Sequence, residues 1–325
     1  MTDPELTRRK VVAGGLAATG IVVLGSSALG AVRATHHGGA ATSRGPSPTT
    51  HAGSTAATSP ATTPTAEPTV AVARTAAQLA AKLDAYRVDR GGTFGVALYD
   101  RRDRSTFHYR STWHNETLST VKVLIMATVL RRCQERGVSL STAQVAQARA
   151  MITESDNDAA DALLTWSGLA DVRRVARLFG LSSTVVQGGT RDGEDGWWGY
   201  STTTADDLLT LLTGLVWGRT VLTATHRNYL ESLMSQIIAI QRWGVCAPPL
   251  PATVRWSTKN GWGGRKDGYR ANSLGHISGN GRDYAAVILS RAPYRSDYTI
   301  EREHAFATVN GVSRILYDAM ERPLR

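Results

Sequence analysis

The segment 121–130 most constrains how this chain can fold. It reads Val-Lys-Val-Leu-Ile-Met-Ala-Thr-Val-Leu, apolar on nearly every side of a helix. Such a helix has no face to give to water, so other elements must cover it all round. Lys122 is the sole charge between Glu116 and Arg131. A lone lysine in a buried helix needs a reason, and Ser119 at the helix start supplies one. Backbone N–H groups and the positive dipole end stabilise negative charge forming beside a serine placed there. Lys122 lies on the same face, about 4.5 Å further along the axis. Burial lets its amine shed a proton at modest cost and act as a base. A surface serine and lysine on an ordinary helix is the alternative, and the apolar surround opposes it.

Two further strings follow in order. The first is Ser155-Asp156-Asn157, where Asn157 or Asp158 can cap the next helix and Asp156 can brace the loop. The second is Lys259-Asn260-Gly261, read as the close of a strand, where Gly261 permits close approach of a ligand. Around these strings, periodicity predicts a helix over 76–87 and strands over 93–100 and 105–110. Helices follow over 170–178, 204–216 and 225–237, the second with a Thr204…Asp207 capping pattern. Strands over 253–259, 270–277 and 284–290 precede a last helix over 301–320. Strands, then a block of helices, then strands again argue for an α+β domain.

The three strings, in this order, resemble those of class A β-lactamases and penicillin-binding proteins. These are active-site-serine enzymes that attack β-lactams and D-alanyl peptides, and the chain looks closest to actinobacterial secreted members. The resemblance spans about 75–325 and implies a five-stranded antiparallel sheet flanked by terminal helices, plus an all-helical lobe. It makes Ser119 the nucleophile and Lys122 its base. Ser155 would pass a proton to the leaving nitrogen, and Asn157 would hold the substrate amide. Lys259 would face a substrate carboxylate and keep Ser155 poised, with Asn260 and Gly261 in the binding strand. The N–H groups of Ser119 and Trp262 would form the oxyanion hole.

Three departures stand out. The 36 residues from Ser119 to Ser155 are few, which implies a trimmed helical lobe. Asn260 replaces a hydroxyl residue that would bind a carboxylate. Before Thr202, class A enzymes carry a Glu-x-x-Leu-Asn string whose glutamate activates the deacylating water. Here the stretch 188–200 is glycine-rich, and its only carboxylates are Asp192, Glu194 and Asp195. Glu194 is the candidate activator, against a reading of solvated loop charge that the glycines favour. Without an activated water, acylation proceeds and deacylation stalls, as in a penicillin-binding protein. A third possibility is a wall-binding pseudoenzyme that keeps the pocket and has lost the chemistry.

The first 74 residues read differently. Thr7-Arg8-Arg9-Lys10 precedes an uncharged run over 11–32, the layout of an export signal, with an arginine pair that fits the twin-arginine route. Cleavage after Gly30 or Ala34 competes with retention as a membrane anchor, since 22 residues can span a bilayer. Residues 35–74 are Thr, Ala, Ser, Pro and Gly with few large apolar side chains, so they are expected to form a disordered tether. The net charge of +10 fits polyanionic wall polymers or anionic headgroups, or arginine spread over a solvated surface. No nucleic-acid module accompanies it, so nucleic acid is not an expected partner. The histidines are scattered, and neither metal nor cofactor is expected. Cys133 and Cys246 could pair after export or stay free.

Overall fold

The computed structural model describes residues 72–325. The expected signal (1–34) and nearly all of the expected tether (35–74) lie outside the described residues. Of its last residues, Ala73 is buried in the core, and Arg74 pairs with Glu321 at 2.9 Å.

Eight α-helices and seven strands follow: α1 (Ala76–Arg90), β1 (Thr93–Asp100), β2 (Ser105–Tyr109), β3 (Asn115–Glu116), α2 (Lys122–Arg136), α3 (Thr142–Arg149), α4 (Asn157–Ser167), α5 (Leu169–Phe179), β4 (Thr202–Thr203), α6 (Ala205–Val216), α7 (Ala224–Met234), β5 (Arg255–Arg265), β6 (Gly268–Gly279), β7 (Arg282–Ala292) and α8 (Tyr298–Ala319). Five strands form one antiparallel sheet in the order β2-β1-β7-β6-β5. β5 is therefore an edge. Side chains alternate across the sheet, as the two-residue period of a strand requires. In β7, Ala285, Val287 and Leu289 join the core shared with α2, α4, α5 and α6. Tyr284, Ala286 and Ile288 point the other way, into the core under α1 and α8. The all-apolar α2 sits where its sequence demands, with residues 122–130 all buried.

Three expectations on local structure need correction. Lys259-Asn260-Gly261 does not close a strand; β5 runs on to Arg265, and the hairpin turns only at Lys266 and Asp267. Gly263 and Gly264 lie within this strand and pair with β6, where a Cβ on Gly264 would come within 3.0 Å of Tyr298. Helix α3 escaped the periodicity reading because Ala148 is its only buried residue; a Ser141–Gln144 capping box starts it. The cap of α4 is Asp156, whose carboxylate accepts from the Ala159 N–H at 2.7 Å, rather than Asn157 or Asp158. Both cysteines are free and buried.

One partly buried ionic site makes stability depend on pH. His276 on β6 lies between Glu231 of α7 at 2.7 Å and Asp283 of β7 at 2.9 Å. Burial opposes its charge, but hydrogen bonds to the two carboxylates outweigh that and raise its pKa above the usual histidine range. Such a group stabilises the fold fully below the unfolded value of about 6.5, and the contribution fades as pH rises through the folded value. The Tm advantage of wild type over His276→Asn is therefore expected to be largest in mild acid and to shrink toward alkaline pH. A gap that grows with pH in thermal melts would sink this assignment.

Candidate active site

Ser119 lies on a tight 3-10 turn, Leu118–Val121, that leads into α2. Leu118, just before it, adopts φ 47°, a left-handed conformation costly for a branched side chain. The surroundings impose it. The Thr117 N–H is held by the Ser201 carbonyl at 2.7 Å, and the Asn272 amide donates to the Glu116 carbonyl at 2.7 Å. Buried Asn115 is tied to Asn272 and to the Ser290 carbonyl, which anchors the approach to Ser119 on the sheet. On the other side, Gly261 of β5 presses against the turn. A Cβ there would sit 2.7 Å from the Thr117 oxygen and 2.8 Å from the Ser119 nitrogen. Glycine is what lets strand and turn meet.

The loop after α3 brings in the second group. The chain widens into a π-helical turn over Ala150–Glu154, and Ser155 ends it at φ 62°. Asp156 then caps α4, and Asn157 occupies its first turn. Lys122 is fully buried, and its Nζ donates to the Ser155 carbonyl at 2.5 Å and to Asn157 Oδ1 at 2.7 Å. The Ser155 hydroxyl lies 3.3 Å from the same amine. Lys259, also fully buried, reaches that hydroxyl from β5 at 2.9 Å. One serine hydroxyl thus bridges two buried amines. Burial, with the charge of Lys259 added, holds Lys122 well below the ordinary lysine range. Burial pulls Lys259 down to about 7. Four of the expected residues therefore converge, with Ser119 on the adjoining turn. In this arrangement Lys122 points its hydrogen bonds at Ser155 and Asn157 and makes none to the Ser119 hydroxyl.

Other expected residues are placed differently. The Asn260 side chain projects from the opposite face of β5, where its amide donates to the carbonyls of Gln241 (2.8 Å) and Trp243 (3.0 Å). It fastens the loop 241–243 instead of meeting a ligand. Glu194 is more than half exposed and paired with Arg191 at 3.0 Å. Trp262 is half-buried, edge-on to Trp243 and Phe306.

Sequence reasoning missed what the glycine-rich loop delivers. Trp198 is wholly buried, and Lys122 Nζ lies 4.9 Å from the centre of its ring. The loop closes on itself through Gly189 and Gly196, and the Trp198 N–H is held by the Gly189 carbonyl at 2.8 Å. The indole nitrogen donates to Asp161 of α4 at 2.5 Å. Two consecutive tryptophans, Trp197 and Trp198, were the signal that this loop packs inward.

A profile of the β-lactamase enzyme family matches residues 143–320, more than half of the chain. The chain belongs to the β-lactamase enzyme family. Solved class A β-lactamases share its fold. That from Mycobacterium abscessus has a TM-score of 0.62 at 19% identity, over 75% of this chain and all of the other. One from Bacteroides cellulosilyticus gives 0.64 at 18%, over 76% and 99%. An ancestral class A β-lactamase gives 0.61 at 22%, over 74% and 99%. No curated protein matches. As a β-lactamase-like serine hydrolase, the chain has the expected α+β architecture. The matched segment begins after Ser119 and Lys122, so the reading of Lys122 rests on its placement beside Ser155, and that of Ser119 on its place on the turn that leads into α2.

Proposed function

We propose that this domain is an exported serine acyl-transfer enzyme in which Ser119 is acylated by a β-lactam or a D-alanyl-peptide-like amide. The bridge from Lys122 through the Ser155 hydroxyl to Lys259 is the observation that carries the reading. Two amines lowered by burial, sharing one hydroxyl, form a path for moving a proton near neutral pH. Lys122 in its neutral form takes the Ser119 proton as the hydroxyl attacks the carbonyl carbon. The tetrahedral oxyanion lies against the N–H groups of Ser119 and Trp262. Ser155 passes a proton to the departing nitrogen and regains one from the lysines. Asn157 orients the substrate amide.

Release of the acyl group is slow in this reading. The loop that would bring a water-activating carboxylate sets an indole against Lys122, with Glu194 turned to solvent and Asp192 as the loop carboxylate within reach of the lysine's charge. The enzyme then behaves as a penicillin-binding, peptidase-like protein. The lack of a hydrogen bond from Lys122 to Ser119 favours a second reading, a wall-binding module without turnover. A fluorescent penicillin followed by intact mass separates them. A persistent adduct supports the first reading, a decaying one means efficient hydrolysis, and none at all leaves the binding module.

The acyl donor comes from the cell-wall side of a membrane. The arginine-flanked apolar run over 11–32 and the Thr/Pro-rich tether support export and attachment near wall peptides. Detection of the mature protein in the extracytoplasmic fraction checks this, and a purely cytosolic location sinks it.

Lys259 gives the reading a pH signature. Its amine is charged below about 7 and neutral above. Capture of a carboxylate-bearing acyl donor is therefore expected to weaken as pH rises through that value, through KM more than kcat. A KM flat across the neutral range would count against Lys259 as the carboxylate anchor.

A further inference from the structure

The Lys122 amine is surrounded on every side, and two of its neighbours have no place in the proton path described above. Trp198 presents its ring face at 4.9 Å, a cation–π geometry. Asp161 holds that ring by its nitrogen at 2.5 Å. It is one helical turn beyond Asn157, itself a hydrogen-bond acceptor for Lys122. Accepting the indole N–H aims the ring and adds negative charge behind it, and both effects favour a cation over the ring face.

We propose that Asp161 and Trp198 act as a positioning pair that biases Lys122 toward its ammonium form. Every side of that amine contributes. Lys259 on β5 opposes its charge, and Asp156 at the cap of α4, Asp161 on α4 and Asp192 in the loop favour it. Among these, Asp161 is the one joined to Lys122 through a fixed ring. Burial raises the Asp161 carboxyl above the value of a free aspartate, against the lowering effect of its bond to Trp198. The loop that in related enzymes serves deacylation thus acts here on the acylation base. This inference rests on Ser119 and Lys122 forming the acylating pair, but its test does not.

The whole chain has five lysines: Lys10, Lys82, Lys122, Lys259 and Lys266. Lysine labelled with 13C at Cε therefore gives a spectrum of five signals, and Lys122→Arg identifies the one of interest. In Asp161→Asn the hydrogen bond to Trp198 can persist while the charge is gone. The Lys122 titration is expected to move down by about one pH unit, with that of Lys259 moving much less. Trp198→Leu is expected to lower it too, and Trp198→Phe by less. A Lys122 titration unchanged in Asp161→Asn overturns the proposal. So does a displacement shared equally by Lys259, which would indicate general loosening of the site. Penicillin labelling of the same samples reports separately on the acylation reading. Labelling without a titration shift removes the pair alone, and a shift without labelling removes the substrate assignment alone.

Discussion

Ser119→Ala is expected to abolish covalent labelling by penicillin while leaving the fold intact. Ser119 is half-buried on a turn held by backbone bonds from Thr117 and side-chain bonds from Asn272, none of which uses its hydroxyl. Removing one oxygen therefore takes away the nucleophile and little else. Lys122→Met is the graded companion. It removes the base together with its hydrogen bonds to the Ser155 carbonyl and Asn157 Oδ1, so the acylation rate constant is expected to fall by about 10²- to 10⁴-fold. Stopped-flow labelling with intact mass at the end point reads both. Full labelling of Ser119→Ala would place the nucleophile elsewhere, and an unchanged rate in Lys122→Met would remove the lysine from the chemistry.

Gly261→Ala is expected to be nearly as damaging, for a purely steric reason. The added methyl would meet the Thr117 oxygen at 2.7 Å, the Ser119 nitrogen at 2.8 Å and the Thr120 nitrogen at 2.9 Å. All three are backbone atoms of the nucleophile turn, so no side chain can swing aside. Either β5 or the turn must retreat, and the Ser119 N–H leaves its place relative to Trp262. Loss of one such donor costs about 10²- to 10³-fold in rate, and the strain costs about 1–3 kcal/mol of stability. Paired measurements of labelling rate and Tm should show both losses. A normal labelling rate in a folded Gly261→Ala would mean that the two N–H groups do not form the oxyanion hole.

The three strings stood out in the sequence because each combines a chemically active residue type with a local backbone demand. Lys122 stood out as one charge in an apolar helix, and Gly261 as a glycine two residues after a lysine. The α+β class followed from element order and the two-lobed fold from the resemblance, and β1 and β7 came out close because both are near-continuous apolar runs, buried on both faces of the sheet. What remained hidden depends on distant packing. Asn260 looked like a ligand residue because strand alternation alone cannot say which face meets the cleft. Asp156 took the cap because Ser155 turns to positive φ before it, a conformation no composition announces. Trp198 was masked by its glycines. Their flexibility suggested a solvated loop, whereas Gly189 and Gly196 fold that loop back so that the indole enters the core.

The buried lysines also set a limit on how heat-resistant this domain can be. An amine whose folded pKa lies below its unfolded value binds more protons unfolded than folded at neutral pH. Unfolding is then favoured there, and stability rises as pH climbs toward the unfolded lysine value of about 10.4. Lys259, pulled down to about 7, works against the fold across this range. Lys259→Met, which keeps the length and drops the charge, is thus expected to melt several degrees higher and to be impaired in chemistry. Natural variants selected only for endurance would drift toward that apolar residue. A lysine at this position sets thermal robustness against the chemistry proposed for it.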